Sequence, residues 1–240
     1  MKVVISQSML FPWVGLLEQI RLADVFVHYD DVQFSKGSFV NRVQIKTQQG
    51  ARWMTVPLQG AHLGQRIDEL KISPQREWRE QHIRLLERSF EGCPFAKEAI
   101  RVAEDTYSGA HSSIGDLARA SMLALSKYFK IDASTRFVDV RNLDVPGFGS
   151  SRVLAVVKRL DGTCYITGHG AARYLDHDAF SHENIKVEYV NYRRLPYPQL
   201  YGEFTPYVSG LDLIANCGLE GAKYICSGTV SWKEFLDGSQ

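Results

Sequence analysis

Short β-branched runs alternate with stretches of helical periodicity at both ends of the chain. Residues 3–6 and 25–27 have the continuous apolar character of buried parallel strands. Pro12, between them, suits the first turn of a helix. The last third repeats this order, with strands predicted at 135–140, Cys164–Thr167 and Lys186–Val190 and helices at 151–160 and 171–175. This alternation predicts an α/β fold built on a mostly parallel, Rossmann-like sheet.

The middle of the chain has a different period. Residues 39–46 and 53–56 alternate apolar and polar positions around Gln48-Gln49-Gly50, which predicts a β-hairpin insertion. Residues 67–72 are a candidate third strand. A helical segment follows, with helices predicted at 78–90, 95–107 and 114–129. The tail is rich in proline and aromatic residues around a helix at 209–216, and we expect it to pack over the sheet edge.

The charge balance restricts the partners. The 240 residues include 28 Lys and Arg against 27 Asp and Glu, which gives a net charge of +1. Nucleic acid and anionic membrane surfaces both require a clustered cationic excess, so neither is expected as a partner. A small anionic ligand needs only two or three well-placed Arg or Lys side chains, so the charge balance does not exclude it.

Two further features bear on the location of the protein. The uncharged stretch 3–17 is interrupted by Ser6-Gln7-Ser8 and is too short to span a bilayer, so we expect no membrane insertion. The four cysteines form no C-x-x-C pair, which favours buried thiols over a disulfide framework or a zinc ribbon. Both observations favour a cytoplasmic protein.

Polar residues follow the second predicted strand directly. Because parallel sheets bind ligands at the carboxyl ends of their strands, His28, Asp30 and Asp31 are candidate catalytic residues. Paired carboxylates can hold Mg²⁺, or one can serve as a general base while the other stays ionised. A solvated loop in which Asp30 caps a turn explains the same residues without chemistry, and the sequence leaves both interpretations open.

A glycine turn and the hairpin supply further candidates. Backbone N–H groups of Gly168-His169-Gly170, between a predicted strand and a predicted helix, can cradle an anion, although a tight turn needs glycine anyway. Asn41 and Arg42 interrupt an otherwise apolar strand, and arginine suits bidentate contact with phosphate or carboxylate. An outward polar face of the hairpin is the alternative explanation.

Several ordered motifs together resemble the WbqC-like protein family. They lie at residues 7–15, 23–34, 41–42, 164–175, 197–199 and 204–213, and the resemblance runs from about residue 3 to residue 218. Family members often carry proline at the position of Ser8, where this chain departs from the pattern. The resemblance implies a single α/β domain over 1–240, with a helical subregion at 75–130.

The family resemblance implies a bacterial protein that helps to build surface polysaccharides such as O-antigen, and a glycine transferase role has been suggested for a member. On the motifs and the strand-end argument together, the predicted catalytic residues are His28, Asp30 and Asp31. The predicted substrate-binding residues are Gln7, Pro12, Trp13, Gln33, Lys36, Asn41, Arg42, Gly168, His169, Gly170, Tyr174, Tyr197, Gln199, Ser209 and Asp212. The expected substrate is a small molecule, and a nucleotide sugar is the favoured candidate. The sequence does not specify a cofactor or an oligomeric state.

Three functional hypotheses follow. In the first, an enzyme transfers an aminoacyl group, such as glycyl, to a nucleotide- or lipid-linked sugar, with His28 or Asp30 as general base and Arg42 and Lys36 neutralising phosphate. In the second, an adenylate-forming or nucleotidyl-transferring enzyme uses ATP and Mg²⁺, although the H-x-G-H, P-loop and G-x-G-x-x-G motifs are missing. In the third, the protein binds a sugar or nucleotide of the assembly pathway without catalysis.

Overall fold

The computed structural model describes residues 1–75 and 77–238. The strands are β1 (Lys2–Ser6), β2 (Val25–His28), β3 (Arg42–Thr47), β4 (Gly50–Thr55), β5 (Leu58–Gln59), β6 (Lys71–Ile72), β7 (Arg136–Asp139), β8 (Cys164–Thr167), β9 (Lys186–Val190) and β10 (Thr229–Ser231). The helices are α1 (Val14–Leu22), α2 (Glu77–Ser89), α3 (Ala96–Ser108), α4 (Ile114–Phe129), α5 (Gly149–Arg159), α6 (His177–His182), α7 (Gly210–Cys217) and α8 (Trp232–Asp237).

A six-stranded sheet forms the centre of the molecule, in the order β10-β9-β8-β1-β2-β7. Neighbouring strands are parallel from β7 to β9, and β10 alone runs antiparallel beside β9. The β3–β4 hairpin forms a separate antiparallel sheet, and α2, α3 and α4 fill the middle of the chain. The predicted fold class is therefore confirmed.

Side-chain alternation along β1 explains the two layers that cover the sheet. Val4 packs with Leu16 and Phe26 in a core that α1 and α4 close. Val3 faces the opposite side, where it packs with Val156 of α5 and other residues of a second core. A strand covered on both faces must be apolar at consecutive positions, and this requirement accounts for the β-branched run that begins the chain.

Short elements differ most from the sequence prediction. The strand expected at 67–72 is a 3₁₀ turn, Ile67–Glu69, followed by the two-residue β6. The Ile67 N–H donates to the Val32 carbonyl at 3.0 Å, so this segment packs on the loop after β2 and does not extend the hairpin. The helix expected at 171–175 is a 3₁₀ turn at His169–Arg173, too short for a full α-helical nucleus.

The tail contributes both to the helical layer and to the edge of the central sheet. Helix α7 packs mainly on α3 and also on α1, and β10 extends the sheet edge beside β9. Neither β10 nor α8 has a sequence pattern long enough to predict. Within residues 1–75 and 77–238, no helix combines the length and the apolar character needed to cross a bilayer.

The chain order reverses direction across the sheet at one point. From β1 the chain adds β2 and then β7 on one side, and after α5 it returns to add β8 on the other side of β1. The loops that leave β1 and β8 therefore diverge and open a crevice at their carboxyl ends, which is where open α/β sheets bind ligands.

Candidate functional site

A cleft of about 920 Å³ lies in this crevice. Its walls come from the loops after β1, β2 and β8, from the first turns of α1 and α5, and from the 3₁₀ turn after β8. The predicted site residues that line it are Gln7, Trp13, Asp31, Gln33, Gly168, His169, Gly170 and Tyr174. The volume falls within the range of small-molecule sites.

The lining has little charge and many uncharged polar groups. Asp31 and Arg152 are the only acidic and basic side chains among the lining residues, apart from the imidazole of His169. The lining amides belong to Gln7, Gln19 and Gln33; the hydroxyls to Ser6, Tyr29, Tyr165, Thr167, Tyr174 and Tyr192; and the other aromatic rings to Trp13 and Phe148. Such a surface suits a ligand that offers hydroxyl groups and apolar ring faces.

The two charged side chains of the lining neutralise each other. Arg152 Nη1 donates to Asp31 Oδ1 at 2.9 Å and Nη2 donates to Oδ2 at 2.5 Å, a bidentate pair. Arg152 Nε donates to the Val145 carbonyl at 2.9 Å, and the guanidinium lies 4.9 Å from the centroid of the Tyr29 ring. Both side chains are largely buried, with 10% and 14% exposure. These contacts hold the pair in the wall of the cleft.

Aromatic residues around Trp13 form another part of the cleft wall. The Trp13 ring lies 4.9 Å from the Tyr192 ring and 5.3 Å from the Tyr207 ring, measured between centroids. A Cβ atom at Gly15 would come within 2.1 Å of the Trp13 indole, so glycine at that position lets the ring lie against α1. Gln19 Nε2 donates to the Tyr192 hydroxyl at 2.7 Å, which ties α1 to the segment after β9.

His169 is the lining residue best suited to accept a proton. Its Nε2 lies 2.8 Å from the Val190 carbonyl, which can only accept, so Nε2 carries the hydrogen and Nδ1 has a free lone pair. The ring packs on Tyr192 and Phe235, at centroid distances of 4.8 and 4.6 Å. These contacts fix the orientation of an imidazole that is exposed to solvent at the cleft.

His28 and Asp30 lie beneath the cleft and are not among its lining residues. Asp30 is fully buried and accepts hydrogen bonds from Ser8 N at 2.8 Å, Ser8 Oγ at 2.7 Å and Arg119 Nε at 2.6 Å. Arg119 also contacts Asp139 at the end of β7. This network fixes Ser8, whose neighbours Gln7 and Met9 do line the cleft.

The protonation of this network follows from its partners. Ser8 Oγ gives its only hydrogen to Asp30, so it must accept from His28 Nδ1, which lies 2.9 Å away. Burial and the positive charge of Arg119 lower the pKa of His28 to about 4, so the imidazole is neutral at pH 7. Burial raises the pKa of Asp30, and the opposing effect of Arg119 is smaller. The order Asp–Ser–His leaves a buried serine in the centre, unlike a catalytic triad.

The hairpin candidates and Pro12 also lie outside the cleft lining. Asn41 Nδ2 donates to the Val56 carbonyl at 3.0 Å, and the Pro12 carbonyl accepts from Gly210 N at 2.8 Å. Arg42 contacts the Gly37 carbonyl and lies over the Trp53 ring, 3.9 Å from its centroid. Lys36 is exposed in the loop before β3. The predicted ligand contacts of these residues stay predictions.

The closing motif holds the tail together. Tyr197 Oη donates to Asp212 Oδ1 at 2.9 Å, and burial raises the pKa of Asp212 to about 6. Gln199 Oε1 accepts from Thr205 N at 2.9 Å and from Lys46 Nζ at 3.1 Å. Ser209 caps α7 and donates from Oγ to the Phe11 carbonyl at 2.9 Å. These contacts account for the motif as a connection between the tail, the hairpin and the loop after β1.

Several lining residues were not predicted from the sequence: Tyr29, Phe148, Arg152 and Tyr192. Gly147-Phe148-Gly149-Ser150, at the start of α5, was the available signal, because glycines at the junction into a helix often border a ligand site. Gly147 and Gly149 have φ angles of 107° and 61°, which few other residues adopt. Phe148 between them is 87% exposed at the cleft.

No group of three or more His, Cys, Asp or Glu side chains in the described residues is placed to hold a metal ion. The carboxylates considered for Mg²⁺ already have cationic partners. Asp30 is paired with Arg119, and Asp31 is paired with Arg152. A metal ion at either carboxylate would have to displace an arginine.

These features define an α/β protein with a small-molecule cleft, nearly free of net charge and walled by aromatic rings, at the switch point of its parallel sheet. Over residues 7–224 the chain matches the WbqC-like protein family, and it belongs to that family. The uncharacterized protein Rv1507c of Mycobacterium tuberculosis (strain ATCC 25618 / H37Rv) is 34% identical over 229 residues, which cover 93% of this chain and 97% of that protein. No solved structure matches. The family is linked in general to polysaccharide biosynthesis.

Proposed function

We propose that this protein is a bacterial cytoplasmic enzyme of surface polysaccharide (O-antigen-type) biosynthesis. It transfers an aminoacyl group, glycyl in the simplest case, to a nucleotide- or lipid-linked sugar. The observation that carries the proposal is the lining of the cleft, where amides, hydroxyls and aromatic faces surround a single neutralised ion pair. Membership of a family that is linked in general to polysaccharide biosynthesis supports the choice of pathway.

The lining supports a sugar as the ligand. Sugar hydroxyls both donate and accept hydrogen bonds, and the amides of Gln7, Gln19 and Gln33 offer both functions. The C–H face of a sugar ring is apolar and packs on aromatic rings such as Trp13. Neither interaction needs a charged side chain, in agreement with the small net charge of the lining.

His169 is the general base in this proposal. An amine or hydroxyl of the sugar attacks the carbonyl carbon of the aminoacyl donor, and a new C–N or C–O bond forms as the bond to the leaving group breaks. His169 Nδ1 accepts the proton of the attacking group and returns it to the leaving group. Positioned base catalysis of this kind contributes about 10²–10⁴-fold to a rate. His28 and Asp30 act through Ser8 by positioning Gln7.

Replacement of Trp13 tests whether the cleft binds the sugar. We expect Trp13→Ala to weaken the binding of a nucleotide sugar about tenfold, because the ring supplies apolar contact at the cleft wall. Trp53→Ala is the matched control, since Trp53 lies on the hairpin against Arg42 and outside the cleft lining. Binding is measured by calorimetry with a panel of uridine and thymidine diphosphate sugars.

Turnover is measured separately, with glycyl donors and the sugars that bind. His169→Asn is expected to abolish transfer while sugar binding persists. If the sugars bind but no donor yields product, the protein is a binding protein of the pathway and the transferase proposal is wrong. If Trp53→Ala weakens binding and Trp13→Ala does not, the ligand occupies the hairpin region and the assignment of the cleft fails.

A further inference from the structure

Asp31 has an electrostatic effect on the cleft that the proposed transfer reaction does not require. It is the only carboxylate in the lining, and it binds Arg152, the only guanidinium there, through both oxygens. Without Asp31, the cleft would present one unpaired, nine-tenths buried cation stacked on Tyr29. With Asp31, the donors Nη1 and Nη2 are both engaged, and Nε is engaged by the Val145 carbonyl.

An anionic group that approaches Arg152 in the cleft meets two obstacles. It must compete with Asp31 for a bidentate arginine, and it must lie close to a second negative charge in a partly desolvated site. An uncharged hydroxyl group meets neither obstacle, because it can bond to the outer lone pairs of Asp31 or to the nearby tyrosine hydroxyls.

We propose that Asp31 is a specificity-determining residue that makes the cleft select an uncharged sugar over a uronic acid or a phosphorylated sugar at the subsite beside Arg152. The proposal rests on the proposed function for the sugar, and on the geometry of the ion pair for the selection against anions. It places any phosphate of a nucleotide- or lipid-linked substrate away from Arg152.

The wild-type protein provides the first test. Methyl glucoside and methyl glucuronide differ only at C6, where the second carries a carboxylate. We expect the glucoside to bind at least tenfold more tightly in a calorimetric titration at pH 7. Equal affinities, or a preference for the glucuronide, would overturn the proposal without any variant.

Asp31→Asn provides the second test, because it keeps the shape of the side chain and removes its charge. We expect this variant to bind methyl glucuronide at least tenfold more tightly than the wild-type protein does. We also expect inorganic phosphate to raise the melting temperature of Asp31→Asn but not that of the wild-type protein. In the double variant Asp31→Asn/Arg152→Gln both gains should disappear, because the cation is gone.

Glu80→Gln is the matched control for overall charge. Glu80 forms an exposed pair with Arg84 on α2, 3.7 Å apart, so its replacement changes the net charge equally and leaves the cleft unaltered. A similar gain of anion binding in this variant would refute a local role for Asp31. If neither methyl sugar binds but Asp31→Asn gains phosphate binding, the sugar proposal fails and the selection against anions stands. If uncharged sugars bind and Asp31→Asn gains no anion affinity, only the role of Asp31 fails.

Discussion

Gly168 and Gly170 flank His169 in one turn, and their surroundings differ. A Cβ atom at Gly168 would lie 3.0 Å from the Tyr192 hydroxyl and 3.2 Å from Gln19 Nε2, both at the cleft. A Cβ atom at Gly170 would meet nothing within 4 Å. Glycine at 168 therefore permits a close approach of side chains, whereas glycine at 170 has no such steric reason.

This difference gives a residue-scale prediction. We expect Gly168→Ala to destabilise the protein by about 1–2 kcal/mol, because the methyl group crowds the hydrogen-bonded Tyr192 hydroxyl and Gln19 amide. The backbone at 168 has φ −85° and ψ 166°, which alanine adopts without strain, so the effect isolates the contact. Urea denaturation should show Gly170→Ala within about 0.5 kcal/mol of the wild type. Equal losses in the two variants would contradict this explanation.

At the scale of elements, Arg119 of α4 joins the ends of two neighbouring strands. It pairs with Asp30 in the loop after β2 and with Asp139 at the end of β7. Asp30 in turn fixes Ser8 in the loop after β1. One helix thus sets the relative position of three consecutive loops at the carboxyl edge of the sheet, and through Ser8 the position of Gln7.

Removal of Arg119 should lower the stability of the protein, because Arg119 is the cationic partner of the buried Asp30. We expect Arg119→Met to destabilise the protein by about 3–5 kcal/mol, because Asp30 would keep a buried charge without a cation. In the double variant Asp30→Asn/Arg119→Met much of this loss should be recovered. Arg141→Met is the control: its side chain is 46% exposed, and a loss of at most about 1 kcal/mol is expected although it also contacts Asp139. Chemical denaturation of the wild type, Arg119→Met, Asp30→Asn, the double variant and Arg141→Met measures these differences, and additive losses of the two single variants in the double variant would exclude coupling.

At the scale of the whole molecule, buried titratable groups make stability depend on pH. Burial lowers the pKa of both His28 and His82 to about 4, and burial raises the pKa of Asp212 to about 6. The two histidines are neutral in the fold and take up protons on unfolding below about pH 6.5, so their contribution to stability is lost as the pH falls from 6.5 to 4. The raised pKa of Asp212 acts in the opposite direction, and stability is lost as the pH rises from about 4 to 6.

Burial also lowers the pKa of His177 and raises that of Asp30, so three histidines stand against two aspartates and a net loss of stability on acidification is expected. We predict that the free energy of unfolding falls from pH 7 to pH 4.5, with His28 and His82 each contributing on the order of 3 kcal/mol at full titration. His82→Gln should flatten this profile, because His82 is buried between Tyr107 and the Thr55 carbonyl. His62→Gln, at an exposed position, should leave it unchanged. A wild-type profile that is flat between pH 7 and pH 4.5 would disprove the prediction.

The hydrophobic periodicity and the composition of the sequence were sufficient to predict most of the strands and helices that build the fold. β1, β2 and β8 are buried on both faces, and this burial requires the continuous apolar runs that are visible in the sequence. The hairpin followed from its alternation and its glycine turn. Elements of two or three residues, such as β6 and β10, have no period of their own, and their partners in space decide whether they form.

The candidate site divides in the same way. The sequence determined that polar residues follow the buried strands, and parallel strands place these residues on one edge because their carboxyl ends coincide. Which of these residues line the cleft depends on how the helices pack on the sheet. Asp30 and Asp31 are adjacent in the chain, yet Asp30 is buried against Arg119 and Asp31 lines the cleft against Arg152. Their partners lie 89 and 121 residues away in the chain, and only the packing of α4 and α5 brings them to the carboxylates.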